Sequence, residues 1–264
     1  MASLPLFEKL WTDYTDLNPE AHKIFRLLSD QHETVLNDHV AFRTFNLPKI
    51  GISVLAKPFI DLGYTEKKDY IFKEKKLFAK HYEHSDLNLP KVFISELELE
   101  KTSSALQQII KTHFTGFDYS ITSKSDFLYS GAPWKKSFKT YEELYKESEY
   151  AAWVYAYGFR ANHFTVNVNQ LKKFNDLPKL NNFIKTNGFQ LNQSGGEIKG
   201  TPEEMLEQSS TMAKDVAIDF EDGKHKIPAC YYEFAKRYPG QDGKLYQGFI
   251  AKSADKIFES TNKI

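Results

Sequence analysis

Near its start the chain repeats apolar residues at helical spacing. Leu6, Leu10 and Tyr14 fall four apart, and Ile24, Leu27 and Leu28 extend the stripe, which predicts helix over residues 5–31. Asn18-Pro19-Glu20 interrupts it with an N-cap and a proline at the first helical position, the signature of a second start. From residue 37 the period drops to two. Val40, Phe42 and Thr44 point one way, and His39, Ala41, Arg43 and Phe45 the other, in a strand that stops before Leu47-Pro48-Lys49. Residues 50–62 return to helical spacing and end at Gly63, and strands are expected over 70–72, 77–82 and 92–97. Residues 37–97 thus read as a β-α-β-β-β unit. Helices follow over 103–114 and 141–150, with a loop at 122–134 between them.

The unit then recurs. Asn162-His163-Phe164-Thr165-Val166 matches the period and the His placement of Asp38-His39-Val40-Ala41-Phe42. Leu177-Pro178-Lys179-Leu180 echoes Leu47-Pro48-Lys49-Ile50, and Asn187-Gly188-Phe189 echoes Leu62-Gly63-Tyr64. Three echoes in one order indicate duplication. In the second unit, Thr201-Pro202-Glu203-Glu204 has the form of a capping box and predicts an inserted helix to about Met212, with Ser209-Ser210 at its end. Residues 215–220 and 227–234 flank the hairpin signal Glu221-Asp222-Gly223, and residues 249–258 close the chain. The expectation is an α+β protein of one domain over 1–264: helices in 1–36, a first module in 37–100, an insertion in 101–155, and a second module with a C-terminal segment in 156–264.

Charge and composition narrow the function. The 264 residues carry 35 basic and 35 acidic side chains, so the basic excess of a nucleic-acid binder is missing. The most apolar helical stretch, 51–63, contains Lys57 and Pro58 and is too short to span a bilayer, so no membrane partner is expected. A single cysteine, Cys230, allows neither an internal disulfide nor a thiolate metal cluster, which suits a reducing cytoplasm. Cys230 alternates away from Glu233 and reads as a buried, inert thiol. Aromatic residues reach 15%, which favours bulky packed sheet faces.

The candidate chemistry lies in the duplicated strands. If the two units pair about a pseudo-twofold axis, His39 and His163 face one cavity, and two neutral imidazoles suit a divalent transition metal. Glu233 shares a strand face with Tyr231 and Ala235, where an unpaired charge would be costly. The three together would form a two-His, one-carboxylate triad of the kind found in non-haem Fe(II) oxygenases. Arg43 lies on the His39 face, about 13 Å along the strand, and could fork onto a substrate carboxylate. It could equally pair with a structural carboxylate, Glu233 among the candidates. His81 and His84 point to opposite faces and read as surface or structural residues. Ser194-Gly195-Gly196 reads as a turn, and no G-x-S-x-G nucleophile motif is present.

These segments resemble the 2-oxoadipate dioxygenase/decarboxylase family, the D-2-hydroxyglutarate synthases of bacterial lysine catabolism. The matching stretches are residues 37–45, Asn162-His163-Phe164-Thr165, residues 206–211, Ile227-Pro228 through Tyr232-Glu233-Phe234, and residues 248–254. The resemblance runs from about residue 35 to the end. It implies a fold of vicinal-oxygen-chelate type, a curved mixed sheet around a metal site with extra helices. It implies Fe(II) on His39, His163 and Glu233, and substrate binding by His39, His163 and Arg43, the last of which also has a catalytic role. It puts further substrate contact at Lys252 and Ser253, where a main-chain contact does not depend on the side chain. The implied partners are a 2-oxo dicarboxylic acid and O2, with CO2 and 2-hydroxyglutarate as products.

Two other classes fit the same residues. One is a Zn(II), Ni(II) or Mn(II) Lewis-acid isomerase, lyase or hydrolase of glyoxalase type, which would turn over without O2. The other is a non-catalytic protein that binds a small carboxylate with Arg43 as anchor.

Overall fold

The computed structural model describes residues 4–261. Two helices, α1 (Pro5–Leu17) and α2 (Pro19–Asp30), precede the sheet, and the break between them is capped by the Asn18 side chain, which accepts from the Ala21 amide. The first module is β1 (Asn37–Phe45), α3 (Ile52–Asp61), β2 (Thr65–Phe72), β3 (Leu77–Glu83) and β4 (Lys91–Leu97). Helices α4 (Ser104–Phe114), α5 (Phe138–Glu147) and α6 (Glu149–Tyr157) connect it to the second. That module contains β5 (Ala161–Asn167), α7 (Leu177–Thr186), β6 (Lys199–Thr201), β7 (Leu206–Ser210), a hairpin of β8 (Asp215–Phe220) and β9 (Gly223–Pro228), and β10 (Tyr231–Arg237). Helix α8 (Ala251–Phe258) follows.

The sheet order is β2-β3-β4-β1-β5-β10-β7-β6. It reads the same from either edge once β5, β10, β7 and β6 are matched to β1, β4, β3 and β2. The first strand of each module is parallel to the last, and the two first strands pair antiparallel at the centre. Helix α8 packs against β2, β6 and β7, so it bridges the two edges of a curled sheet. One sheet face packs on α1, where Trp11 and Tyr14 meet Phe164 and Tyr232. The other face holds His39, His163 and Glu233. Gly63 and Gly188 sit at φ +97° and +87° after α3 and α7, so the echoed turns also share a backbone conformation.

Four expectations change. The helix expected from Thr201 to Met212 is instead β6, a turn and β7, so Ser209 and Ser210 lie on a strand. The Thr201 hydroxyl does accept from the Glu204 amide at 3.2 Å, as a cap would, but Met205 at φ +65° reverses the chain and β7 pairs along β10. The expected strand over 227–234 is split at Ala229-Cys230, with β9 in the small hairpin and β10 in the main sheet. The helix expected over 141–150 is two helices, α5 and α6, divided at Ser148, whose side chain caps α6. Strand β2 begins at Thr65, earlier than its apolar residues indicate, because its first five positions are exposed on a sheet edge.

Candidate metal centre

The central strand pair builds the site. On β1 and β5, His39 lies opposite Thr165 and Ala41 opposite His163, which sets the two imidazoles on one face about the pseudo-twofold axis. Their ring centroids are 5.5 Å apart, and the small Ala41 leaves the space between them open. Parallel pairing of β5 with β10 puts Glu233 beside Thr165. Glu233 Oε1 is 3.6 Å from His39 Nε2, and Oε2 is 3.3 Å from His163 Nε2. All three residues are buried, and their ligand atoms lie within 4.8 Å of one another.

Each strand is bulged immediately before its histidine. The register shift between Asn37 and His39 leaves Asp38 outside the ladder, and the shift at Ala41/Phe42 does the same for Asn162 on the partner strand. A bulge re-aims its extra residue. Here it brings the Asp38 carboxylate 2.8 Å from His39 Nδ1 and the Asn162 carbonyl 3.1 Å from His163 Nδ1. Both Nδ1 atoms therefore donate outward, and both Nε2 lone pairs face the cavity. The Thr165 hydroxyl donates to His39 Nε2 at 3.0 Å, and Gln208 Nε2 donates to Glu233 Oε1 at 2.5 Å.

The electrostatics suit a cation here. Burial pushes the Glu233 carboxyl up to about 8, despite the Gln208 hydrogen bond. Burial lowers His39, with Asp38 acting against it, and burial together with the neighbouring His39 holds His163 well below the usual imidazole range. Two neutral imidazole nitrogens and a carboxylate converge with no basic side chain between them. A divalent cation would satisfy all three at once. The donor set thus fits a metal of the borderline-soft first row.

The other predicted residues surround this centre. Arg43 is buried, with Nη1 2.7 Å from Glu149 and Nη2 3.1 Å from the Thr261 hydroxyl, and it faces the rings of Tyr150, Trp153 and Phe258. Its carboxylate partner is therefore Glu149 on α6, not Glu233; its Nε has no partner. Ser253 is buried on the inner side of α8 against Gly200 of β6, whereas Lys252 is exposed to solvent. His81 is buried between the Tyr70 hydroxyl and Glu83. Burial raises the Cys230 thiol to about 12, which agrees with an inert role.

The sequence reading passed over four residues of this site. Tyr231 stacks on His163 with centroids 4.6 Å apart, its hydroxyl buried without a partner. Gln208 was hidden by the expected helix; strand alternation through Leu206, Gln208 and Ser210 is the signal that finds it. Arg237 forks onto Asp38, and Phe249 stands edge-on to His39 at 4.8 Å. The polar residue before each histidine was visible in the chain, but its direction depends on the bulge.

With this geometry in place, comparison with known proteins is decisive. The family model for 2-oxoadipate dioxygenase/decarboxylase matches residues 2–124 and 126–245. The chain belongs to this family. The chloroplastic 2-oxoadipate dioxygenase/decarboxylase of Arabidopsis thaliana is 36% identical, covering 95% of this chain and 75% of that protein. The crystal structure of the Oryza sativa hydroxyglutarate synthase in complex with 2-oxoadipate superposes with a TM-score of 0.88 at 33% identity, over 97% of this chain and 90% of that one. A provisionally named hydrolase from Shewanella frigidimarina is 51% identical with a TM-score of 0.89, over 93% of this chain and 96% of that one. The fold itself extends to a Ralstonia eutropha protein provisionally placed in the glyoxalase superfamily, at 19% identity and a TM-score of 0.76, over 92% of this chain and 84% of that one. This agrees with the vicinal-oxygen-chelate architecture. Among the described residues, no helix is long and apolar enough to cross a membrane.

Proposed function

We propose that this chain is an Fe(II)-dependent dioxygenase that converts 2-oxoadipate, or a close 2-oxo dicarboxylic acid, and O2 into 2-hydroxyglutarate and CO2. The observation that carries this reading is the buried convergence of His39 Nε2, His163 Nε2 and a Glu233 oxygen in a chain of this family. The atoms balance. The carbon–carbon bond to the first carboxyl breaks to release CO2. One oxygen atom of O2 enters the new carboxylate, and the other is inserted into a C–H bond of the adjacent carbon, whose hydrogen becomes that of the hydroxyl. The four electrons that reduce O2 come from the broken C–C and C–H bonds. Fe(II) held by the three residues would relay these electrons to O2 and would leave positions open for the 2-oxo acid.

The protein's own part is orientation. The far carboxylate of the substrate needs donors on the concave face. The Arg43 Nε and the Tyr231 hydroxyl, which neighbour each other and make no geometric hydrogen bond, are the donors this reading assigns to it. Burial raises the Tyr231 phenol well above its usual range, so it stays a donor. Ser253 closes the opposite side from α8, and Lys252 contributes its main chain. Fixing both ends of the substrate selects chain length and sets which carbon reacts. The lone buried Cys230 is consistent with work in the cytoplasm.

A second reading, a Lewis-acid hydrolase using Zn(II), Ni(II) or Mn(II), draws support from the name of the Shewanella protein. One experiment separates the two. Anaerobically purified protein reconstituted with Fe(II) is given 2-oxoadipate, O2 uptake is recorded, and the product is analysed by mass spectrometry. Uptake with 2-hydroxyglutarate is the expected result, and it should vanish in His39→Ala. Turnover of a substrate without O2 would move the reading to the Lewis-acid class.

A further inference from the structure

Arg237, the last residue of β10, is buried and has two sets of partners. Its Nε and Nη2 fork onto the Asp38 carboxylate at 2.6 and 2.8 Å. Its Nη1 donates to the carbonyls of Tyr246 and Gly248 at 2.9 and 2.7 Å. The first set leads to His39, because Asp38 Oδ1 also accepts from His39 Nδ1 at 2.8 Å. The second leads to the segment that enters α8. That segment seats the Phe249 ring edge-on to His39 at 4.8 Å, with the Arg237 guanidinium 5.3 Å from the ring centre. The Phe249 amide donates to the Tyr70 hydroxyl at 3.1 Å, which is paired in turn with His81 at 2.9 Å. Residues 246–249 are therefore tied to β10 on one side and to β2 on the other.

This arrangement has no counterpart in the first module. Matching β4 to β10 through their pairing with β1 and β5 sets Leu97 at the place of Arg237. A buried guanidinium is costly to desolvate, and one fork onto Asp38 would leave Nη1 without acceptors. The two carbonyls complete its hydrogen bonding. They also make the position of one side chain depend on both the metal-ligand partner and the covering segment.

We propose, on the reading that His39, His163 and Glu233 hold a metal, that Arg237 is a positioning residue that couples metal binding to closure of residues 246–258 over the site. A bidentate Asp38 cannot rotate away, so His39 keeps Nε2 directed inward. A metal on Nε2 makes the Nδ1 proton more acidic and tightens its bond to Asp38, which fixes the guanidinium and the carbonyls it holds. Opening the segment removes two acceptors from that guanidinium and loosens the ligand it supports. By linkage, whatever closure adds to metal affinity, the metal adds to closure. The wall formed by Phe249 and α8 is then completed by metal loading.

The test uses the intact chain with Co(II) as probe. Co(II) affinity is measured by chelator competition, and amide exchange is followed over residues 246–258 with and without the metal. In the unmodified protein Co(II) should slow exchange across this segment. Arg237→Lys keeps a positive charge beside Asp38, but one ammonium cannot reach both carboxylate oxygens and both carbonyls. It should weaken Co(II) binding by roughly 10- to 100-fold and abolish the Co(II)-induced slowing. Phe249→Leu leaves Arg237, Asp38 and His39 in place, and it decides the matter alone if Arg237→Lys does not fold. It should shrink the slowing while Co(II) affinity falls several-fold. A variant whose segment exchanges freely while Co(II) binds with unchanged affinity overturns the coupling, as does persistent Co(II) protection in both variants. If the unmodified chain binds no Co(II), or His39→Ala binds it equally well, the metal reading fails and takes the proposal with it.

Discussion

The two halves of the sheet share a backbone plan and differ in charge. Register matching sets Asp38 against Asn162, Phe93 against Glu233, and Leu97 against Arg237. Both halves supply a histidine whose Nδ1 is held by the bulged residue before it. Only the second half supplies a carboxylate to the cluster, and only the first histidine is backed by an ion pair. Burial alone would raise the Asp38 carboxyl, but the charges of Arg237 and Lys91 hold it well below the usual range. Asn162 is neutral, and its Nδ2 has no partner. Duplication can thus fix where ligands stand, while divergence at matched positions decides which of them carry charge.

The largest effect should come from removing the charge that sets the second half apart at Glu233. Glu233→Gln keeps the shape and the contact with Gln208 but removes the negative charge. Metal content, measured by elemental analysis after reconstitution, should fall together with O2 uptake, by at least about a hundredfold in turnover. Retained metal with full turnover would remove Glu233 from the centre. Next in size is the contrast behind the histidines. Asp38→Asn leaves the Arg237 guanidinium buried without its carboxylate, a loss of about 3–5 kcal/mol in urea unfolding. Asn162→Ala leaves one buried N–H of His163 unpaired, a loss of about 1–2 kcal/mol. Equal losses would show that the charge difference between the halves has no energetic weight.

Acid titration of the metal-free protein separates the same two branches. His163 is held well below the imidazole value of 6.5 by burial, first of all, and by its neighbour His39. The unfolded chain then takes up a proton that the folded chain refuses, so His163 contributes a loss of stability as pH drops below about 6.5, approaching about 1.4 kcal/mol per pH unit. His39, also lowered, adds to it, and the raised Glu233 carboxyl opposes it, so the His163 share is read as the difference between variant and unmodified protein. Asp38 acts in the same direction but in a lower pH window. Its folded value is depressed, so its contribution is present above about pH 4 and is lost as pH falls further. Thermal melts should therefore show that His163→Asn flattens the slope between pH 6.5 and 5. Asp38→Asn should flatten it only below about pH 4. If His163→Asn left the upper slope unchanged, that imidazole would not be the group responsible.

The parts legible from the chain were those set by local period or by repetition. Alternation through β1 and β5 separated the histidine face from the face packed on α1, and the echoes at Gly63 and Gly188 marked equivalent helix ends. What stayed hidden depends on distant partners. Every described position of α6 from Tyr150 to Tyr157 is buried, so it has no polar stripe to betray its period. Strand β7 was masked by a capping sequence whose hydrogen bond does form, at a turn, because pairing with β10 lies beyond any local window. Arg43 was placed on the correct face, yet its partner Glu149 stands 106 residues away on that same unread helix. The two histidines could be inferred because repetition points at them, whereas Glu233, matched by Phe93, stood out only as a carboxylate in an apolar strand. The residues that hold them, Asp38 and Arg237, could not, since 199 positions separate them.

The smallest predicted difference lies at the echoed glycines. Both adopt positive φ, so alanine costs about 1–2 kcal/mol at either position from backbone strain alone. Their surroundings differ. A Cβ at Gly188 meets nothing within 4 Å, whereas one at Gly63 falls 3.0 Å from His84 Nε2 and 3.3 Å from its Cδ2. The His84 ring is not free to swing, because its Nδ1 accepts from the Asp86 amide at 2.9 Å and the ring lies 5.3 Å from that of Tyr64. Gly63→Ala should therefore cost more than Gly188→Ala by up to about 1 kcal/mol in chemical unfolding. Adding His84→Ala should bring the two losses together, since it removes the obstacle and leaves the strain. A Gly188→Ala loss equal to that of Gly63→Ala in the presence of His84 would mean that strain alone sets both, and that the two turns are equivalent in energy as well as in shape.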